Sequence, residues 1–354
     1  MTTHYIALDV HCAFTEMAVV TASGRLTKRS RCATRIRELV EAIESVGQPR
    51  RLTFEEGPMA EWLYRNLAPH VEELTVCDPR RNSLIAKEGD KDDPIDSAKL
   101  AQLYRGGYLK AVHHPESLER SILKQHVALY HGRVRQRVRE ANYLIAQVRR
   151  HGLIVTEAAF ADPADRPQLL AQLPQSRLLR ADLECLWQGY DAVVRQESQM
   201  RRRLEDQARR DEQIRRFERV PGYGWIRAAT FYVYVDAPWR FPRKSALWKY
   251  MGIGLERRHS GNGPVQLRVV RSANKCLKNV ALGAANTAIL QADNPFAILY
   301  RHWTQEKEIS CPNARRNVAR SQTATLWGMW KNGSEYRPEL VTQGMGIGVV
   351  CGSR

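Results

Sequence analysis

Long apolar runs are missing from this 354-residue sequence: none approaches the ~20 consecutive residues that a membrane-spanning helix needs. We therefore expect no transmembrane segment, although 43% of the residues are hydrophobic. Cysteine pairs at metal-ligand spacing are also missing, and the seven cysteines are an odd number, which is typical of reduced thiols. The first residues lack the basic stretch and apolar core of a signal peptide. We expect a cytoplasmic protein.

Acidic residues are in short supply. The 55 Lys and Arg residues outnumber 38 Asp and Glu, which gives a formal net charge of +17. A protein this basic is expected to bind a polyanion, and without a spanning segment we expect nucleic acid and no membrane. The length allows two or three domains, which we place at residues 1–112, 113–218 and 219–354.

The first 112 residues alternate predicted strands with predicted helices. Two apolar runs, Tyr5–Val10 and Phe14–Val20, flank a short turn, which predicts a β-hairpin with Asp9 close to the turn. A third strand is predicted from Arg25, and Thr34 is expected to cap the helix that follows. Strands that alternate with helices predict an α/β sheet. The fourth and fifth predicted strands both end in acids: Arg51–Phe54 before Glu55 and Glu56, and Leu74–Cys77 before Asp78.

A helix is predicted to begin at Asp93, and its start is rich in carboxylates. The proline that follows suits the first helical position, so Asp93 is the expected cap, and Asp96 lies three residues along on the same face. Capping and the helix dipole are sufficient reasons for such acids, and acids at strand ends also occur as plain turn residues. In α/β sheets, however, the chemistry lies beyond the strand ends. The candidates to converge there are Asp9, one of Glu55 or Glu56, and the pair Asp93 and Asp96.

Two long helical patterns occupy the middle of the chain. Apolar residues recur at helical spacing from Ser117 to about Gly152 and again from about Ser176 to Arg216, with a break rich in Asp and Pro between them. The pattern predicts a long antiparallel helical arm. One interpretation is a solvated spacer between domains. The other is dimerisation together with nucleic-acid binding, which the interleaved arginines favour.

The last third of the chain opens with a glycine turn, Val220–Gly224, that enters an apolar helix. Such a turn lets backbone amides approach a phosphate, so Gly222 and Gly224 are candidate nucleic-acid contacts, although simple turn geometry also explains the glycines. Arg80 and Arg81, beside another turn, are candidate phosphate contacts because of their charge. Four further basic residues complete the nucleic-acid-binding candidates: Arg257, Arg258, Lys275 and Lys278.

Together, several motifs resemble the DEDD transposases and recombinases of insertion sequences, the group that includes the Piv and MooV invertases and the bridge-RNA-guided recombinases. The C-terminal part shares a Pro-Gly-x-Gly turn, a Ser-Gly pair and a helix start with Asn-x-x-Leu. The resemblance implies an α/β, RuvC-like (RNase H-type) N-terminal domain and a mainly α-helical C-terminal transposase domain. In the N-terminal part the matching residues are Asp9, Glu55-Glu56-Gly57-Pro58, and Lys91-Asp92-Asp93-Pro94-Ile95-Asp96-Ser97, which is similar to that family's Lys-x-Asp-x-x-Asp-Ala motif.

The resemblance implies a magnesium site of carboxylates. Oxygen ligands suit two hard cations about 4 Å apart, which can stabilise the attacking and leaving oxygens of a phosphodiester. The family usually spaces its Glu three residues before the Gly, whereas Glu55 lies two before Gly57 and Glu56 one before it. We favour Glu55 as the first acid on the strand, and Ser97 replaces the family's Ala. The implied ligands of Mg²⁺ are Asp9, Glu55, Asp93 and Asp96.

The resemblance further implies a serine nucleophile in the C-terminal domain. Ser260, which precedes Gly261, is the matching position, and Ser272 is the alternative. Serine is a weak nucleophile at its own pKa and needs a base, a metal or a charged neighbour for activation. The implied partners are DNA, as element ends and target, a structured bridge RNA as an optional guide, and further copies of the chain in a homodimer or homotetramer.

Two other functions stay open. A metal-dependent nuclease resembling Holliday-junction resolvases would cut with activated water, and Ser260 would be incidental. A non-catalytic DNA- or RNA-binding protein would carry the acids only as caps and turn residues. Replacement of Ser260 by Ala separates the first alternative from a transposase, because a nuclease that uses water should still cut. Replacement of Asp9 or Asp96 by Asn separates the second, because a pure binding protein should keep its affinity and has no Mg²⁺-dependent cleavage to lose.

Overall fold

The structure is a computed structural model that describes residues 2–79, 93–115, 117–258, 266–270, 272–291 and 293–343; at 93–95, 258 and 266 it describes the backbone alone. The chain divides into two units, Met1–Glu116 and Ser117–Arg354. The division into three domains is not tested by this and stays a prediction. In the described ranges, no helix has both the length and the apolar character needed to cross a membrane.

The N-terminal unit is a mixed α/β sheet. The elements in chain order are β1 (His4–Val10), β2 (Phe14–Thr21), β3 (Leu26–Ala33), α1 (Ile36–Glu44), β4 (Arg50–Glu55), α2 (Ala60–Leu67), β5 (Glu73–Cys77) and α3 (Asp93–Arg105). The sheet contains five strands in the order β3-β2-β1-β4-β5. Strands β1, β2 and β3 are antiparallel neighbours, whereas β4 pairs parallel with both β1 and β5.

The two faces of this sheet carry different cores because side chains alternate along each strand. On one face, Leu8 and Phe54 belong to the buried cluster that also contains residues of α1 and α2. On the other face, Ala7 belongs to a smaller cluster with Leu100 and Ala101 of α3. The α3 face therefore carries small side chains, which allow the helix to lie close to the strands.

The C-terminal unit is mostly helical. The elements are α4 (Leu118–Arg149), α5 (Ala158–Ala161), α6 (Arg166–Ala171), α7 (Arg177–Arg210), α8 (Glu212–Glu218), α9 (Trp225–Val235), α10 (Lys244–Tyr250), β6 (Leu255–Arg258), β7 (Gln266–Val269), α11 (Lys275–Leu290), α12 (Pro295–Arg301), α13 (Cys311–Asn332) and α14 (Glu339–Thr342). A large buried cluster runs through α8 to α13 and includes the apolar faces of α4 and α7. The antiparallel pair β6–β7 is the only sheet among the described residues of this unit.

The two long helices, α4 and α7, pack side by side in opposite directions. Val127 of α4 and Leu204 of α7 lie in the large cluster, whereas Val148 and Trp187 lie in a second cluster at the other end of the pair. One end of the helical pair is thus packed with the helices that follow it in the chain, and the other end has a core of its own.

Two local predictions are wrong. Thr34 does not cap α1: Arg35 holds the cap position without a side-chain bond, and the Thr34 hydroxyl donates instead to the carbonyl of His11 at 2.7 Å. The second long helix does not continue to Arg216, because Asp211 adopts an extended backbone and its carboxylate accepts from the Ile214 amide at 3.0 Å. That cap starts α8 as a separate helix.

Candidate active site at the ends of the parallel strands

Asp9 lies next to the last residue of β1. It is two residues beyond Ala7, so alternation directs its side chain to the face that α3 covers. The Asp9 carboxylate remains partly exposed, and its Oδ2 lies 3.3 Å from Nε2 of His11. The His11 ring in turn stacks on Phe14, with ring centroids 4.7 Å apart. The hairpin turn therefore holds an accessible carboxylate beside an imidazole.

Glu55 is the last residue of β4 and lies level with Asp9. The register pairs Leu8 with Phe54, so the next residues, Asp9 and Glu55, are neighbours at the carboxyl ends of adjacent parallel strands. Glu55 also pairs with Cys77, which packs with α3. The side chains of Asp9 and Glu55 thus share one face.

Glu56 is the alternative ligand. Its amide continues the ladder by donating to the Cys77 carbonyl at 2.8 Å. Alternation directs the Glu56 side chain away from the face that Glu55 occupies. The choice of Glu55 over Glu56 as a ligand stays a prediction. The register of β4 with β1 favours Glu55, because it directs the Glu55 side chain to the face that carries Asp9.

Asp96 lies in the first turn of α3, on the same side of the sheet as Asp9. Ser97 is 1% exposed, and Leu100 and Ala101 are buried, which defines the face of α3 that contacts the strands. Asp96 is four residues before Leu100 and therefore lies along that face, with its side chain half-buried. Asp93 is the first residue of the helix, and its side chain lies outside the described residues.

The donor chemistry of these acids fits a hard divalent cation. Asp9, Glu55 and Asp96 offer carboxylate oxygens from one side of the sheet, next to the strand ends where α/β proteins bind ligands. Where side chains are described, no three His, Cys, Asp or Glu residues form a ready metal-binding group. The fourth expected ligand, Asp93, is not among those side chains. The described part of the site is therefore a partial set of ligands.

The glycine turn of the C-terminal unit has a packing reason. Gly222 has a φ of +87°, and a Cβ there would overlap the Ala284 carbonyl of α11. Arg227 donates to the Gly222 carbonyl at 2.8 Å and to the Thr287 hydroxyl at 2.9 Å, which ties the turn to α11. Gly224, in contrast, has open space around it and caps α9. Phosphate contacts by either glycine stay a prediction.

The remaining candidates lie on or near the β6–β7 hairpin. Arg257 is on β6, and Ser272 is exposed just before α11. Lys275 begins α11, which Asn274 caps by accepting from the Leu277 amide at 3.0 Å. Lys278 follows in its first turn, and its stem packs near Gly252. Outside the described residues or side chains lie Arg80, Arg81, Arg258 and Ser260.

One residue of the site is not singled out by the sequence patterns. His11 belongs to the turn after β1, and its Nε2 lies within 3.3 Å of the Asp9 carboxylate. The signal available in the sequence was its position two residues after Asp9, an acid near the end of a strand. That spacing is common, so only the folded turn identifies the contact.

Two known protein families match parts of the chain. Residues 6–152 match a family of DEDD transposases of the IS110 kind, described as Transposase, and residues 214–301 match Transposase IS116/IS110/IS902 family. No protein with a curated description matches. The two matches together cover more than half of the chain and include both regions whose motifs carry the resemblance. DEDD transposase domains typically use divalent metal ions. The chain belongs to the IS110 family of DEDD transposases and is a DNA transposase/recombinase.

Proposed function

We propose that this transposase cuts and rejoins DNA with Ser260 as nucleophile and with Mg²⁺ bound by Asp9, Glu55, Asp93 and Asp96. The observation that carries the proposal is the placement of Asp9, Glu55 and Asp96 on one side of the sheet at the carboxyl ends of β1 and β4. A strand order of β3-β2-β1-β4-β5, in which β2 runs antiparallel to the other four strands of the sheet, supports a RuvC-like domain.

The chemistry of the proposal is a pair of exchanges at phosphorus. The Ser260 hydroxyl attacks a backbone phosphorus, a serine–phosphate ester forms, and one end of the cut strand leaves as a hydroxyl. A strand hydroxyl then attacks the same phosphorus, restores the phosphodiester and releases serine. Bound Mg²⁺ would supply positive charge to the attacking and leaving oxygens. Because the number of phosphate esters does not change, the exchange needs no external energy source.

Exposed arginines of the C-terminal unit support binding of a nucleic acid. Some arginines of the helical pair are used internally: Arg137 donates to Glu197 at 2.8 Å and also contacts Glu157. Others are exposed, and in the described part of the chain Arg203 and Arg210 form no ion pair. These two arginines line a cleft of about 740 Å³ at the start of α4. Free cations along a helix suit contacts with phosphates.

The test of the mechanism is the formation of a covalent protein–DNA adduct. Full-length protein is incubated with DNA that carries the element ends and a target, with and without Mg²⁺, and adducts are resolved on denaturing gels. We expect Ser260→Ala to abolish the adduct and strand exchange, and Ser272→Ala, the matched control, to leave both intact. Asp9→Asn and Asp96→Asn should abolish Mg²⁺-dependent cutting with little change in DNA affinity.

The alternatives are outcomes of the same test. If Ser260→Ala and Ser272→Ala both still cut DNA with Mg²⁺ and no covalent adduct forms, the protein is a nuclease that uses water. If the wild-type protein binds DNA without any Mg²⁺-dependent cleavage, it is a binding protein only. Loss of the adduct in Ser272→Ala but not in Ser260→Ala would move the nucleophile to the alternative serine.

The RNA guide, the oligomeric state and the cytoplasmic location are further proposals. Sequencing the nucleic acid that copurifies with the protein tests the guide, because a guided recombinase should carry one discrete non-coding RNA. Light scattering on the purified protein tests for a homodimer or homotetramer.

A further inference from the structure

Trp239 is an exposed aromatic side chain with no core to fill. It lies in the short turn Pro238–Arg240 between α9 and α10, and 71% of its surface is accessible. Trp187, in contrast, is buried in the helical pair. A single exposed apolar side chain is common on protein surfaces, so the case for a binding surface depends on what holds this ring and on what lies beside it.

The turn that carries Trp239 is held in place from both sides. The Trp327 indole donates to the Pro238 carbonyl at 2.8 Å. Arg240 donates to the Tyr234 carbonyl at 3.0 Å, and its guanidinium lies 4.6 Å from the centroid of the Tyr250 ring. The ring of Trp239 is thus presented on a fixed backbone, which reduces the entropy lost when a ligand binds.

Positive charge lies beside this ring and on the residues that follow it in the chain. The ammonium of Lys331, in the last turn of α13, lies 4.6 Å from the Trp239 ring centroid and 3.9 Å from that of Trp327. Arg243 and Lys244 follow closely in the chain and are exposed. In the part of the chain that the structure describes, none of these three cations forms an ion pair. A stacking surface beside unneutralised cations is complementary to a nucleotide.

We propose that Trp239 stacks on an unpaired nucleobase and that Lys331, Arg243 and Lys244 contact the neighbouring phosphates of a single-stranded segment. Bases in a duplex are already stacked on each other and offer no free face, whereas every unpaired base has one. The chemistry is shared by single-stranded RNA and by DNA strands that are opened during recombination. The proposal rests on the nucleic-acid chemistry of the family and does not depend on Ser260 or on the acids.

The test compares binding of single strands with binding of duplex. Fluorescence anisotropy of labelled dT₁₂, rU₁₂ and a 12-base-pair duplex measures the affinity of the full-length protein. Since a base stacked on an aromatic ring contributes strongly, we expect Trp239→Ala to weaken single-strand binding about 5- to 150-fold and duplex binding less than twofold. Trp239→Phe keeps a ring and should recover much of the loss. The two single strands show whether RNA or DNA is preferred.

Salt dependence separates stacking from charge. For the single strands, a plot of log affinity against log salt concentration has a negative slope, and Lys331→Met should make that slope shallower by about 0.7, because one phosphate contact is lost. Trp239→Ala should leave that slope unchanged, because stacking releases no counterion. Trp62→Ala is the matched control, since Trp62 is also exposed, at 41%, but lies in the other unit.

Two results would overturn the inference. One is a single-strand affinity of Trp239→Ala within twofold of the wild type. The other is an equal loss for duplex and single strands, which would indicate a general electrostatic or folding effect. The proposed mechanism is tested separately, because it is measured by adduct formation and cleavage, whereas these experiments measure only binding.

Discussion

Substitution of Gly222 by Ala is the sharpest test of how the C-terminal unit is packed. At its φ of +87°, an added Cβ would lie 2.9 Å from the Ala284 carbonyl carbon, closer still to the carbonyl oxygen, and 3.1 Å from Nε2 of Gln322. That nitrogen already donates to the Pro221 carbonyl at 2.7 Å. The obstructing oxygen belongs to the backbone of a buried helix, so the methyl group can be admitted only if the turn and α11 separate.

The expected cost has two parts. A residue with a Cβ in the left-handed region loses about 1–2 kcal/mol, and an extra methyl group in a tightly packed region costs about 1–3 kcal/mol. We therefore expect Gly222→Ala to lower the free energy of unfolding by about 2–5 kcal/mol. For a unit of this size each kcal/mol shifts the melting temperature by about 2–4 °C, so the drop should be about 4–20 °C.

The measurement is thermal unfolding of the full-length protein followed by circular dichroism. Gly224→Ala is the matched control, because Gly224 has a φ of −78° and no heavy atom within 4 Å of an added Cβ. Its melting temperature should change by less than about 2 °C. A melting temperature of Gly222→Ala within 2 °C of the wild type would refute the packing argument.

Three further predictions concern other parts of the chain. Asn294→Ala should cost about 2–4 kcal/mol in urea unfolding, because this buried cap accepts from two amides of α12 and donates to two carbonyls, and Asn294→Asp should recover part of the loss. Burial and the nearby Arg135 lower the pKa of His131 in the folded protein. The unfolded chain therefore binds a proton at a higher pH, about 6.5, and the free energy of unfolding should fall as the pH drops below that value. His131→Gln should flatten the melting temperature between pH 7 and pH 5. Ser97→Leu should lift α3 and reduce cleavage through misplacement of Asp96, whereas Ser97→Ala keeps a small side chain and should leave the position of α3 and the cleavage rate close to those of the wild type.

The N-terminal sheet could be predicted from the sequence because its signals are local. Alternating apolar residues between short turns identified β1 and β2, and acids at strand ends identified the places where Asp9 and Glu55 lie. Once the strands were assigned, parallel pairing of β1 and β4 was sufficient to make those two acids neighbours. The ends of elements were less predictable. In the sequence, Asp211 interrupts no apolar pattern and is typical of an exposed helical residue, whereas in the structure its extended backbone ends α7.

The packing of the C-terminal unit depends on contacts between residues that are distant in the chain, and the hydrophobic pattern of the sequence does not identify such contacts. The sequence shows a glycine turn but not that Gly222 abuts Ala284 on another helix. It shows several tryptophans but not that Trp330 packs on Phe217 while Trp239 remains exposed. Helical periodicity identifies an apolar face without identifying what covers it, so these roles required the folded chain.

The position of Asp96 relative to Asp9 follows from the packing of α3. Asp96 is carried by a helix whose contact face contains Ser97 and Ala101, and the opposing strand offers Ala7. Small side chains on both surfaces bring the helix axis close to the sheet, and a larger residue at any of these positions would increase that separation. The backbone of Asp96 cannot shift toward a bound cation unless the whole helix moves away from the sheet. The small residues beneath α3 therefore determine where the Asp96 carboxylate is available, and the family's preference for a small residue at position 97 has a physical reason.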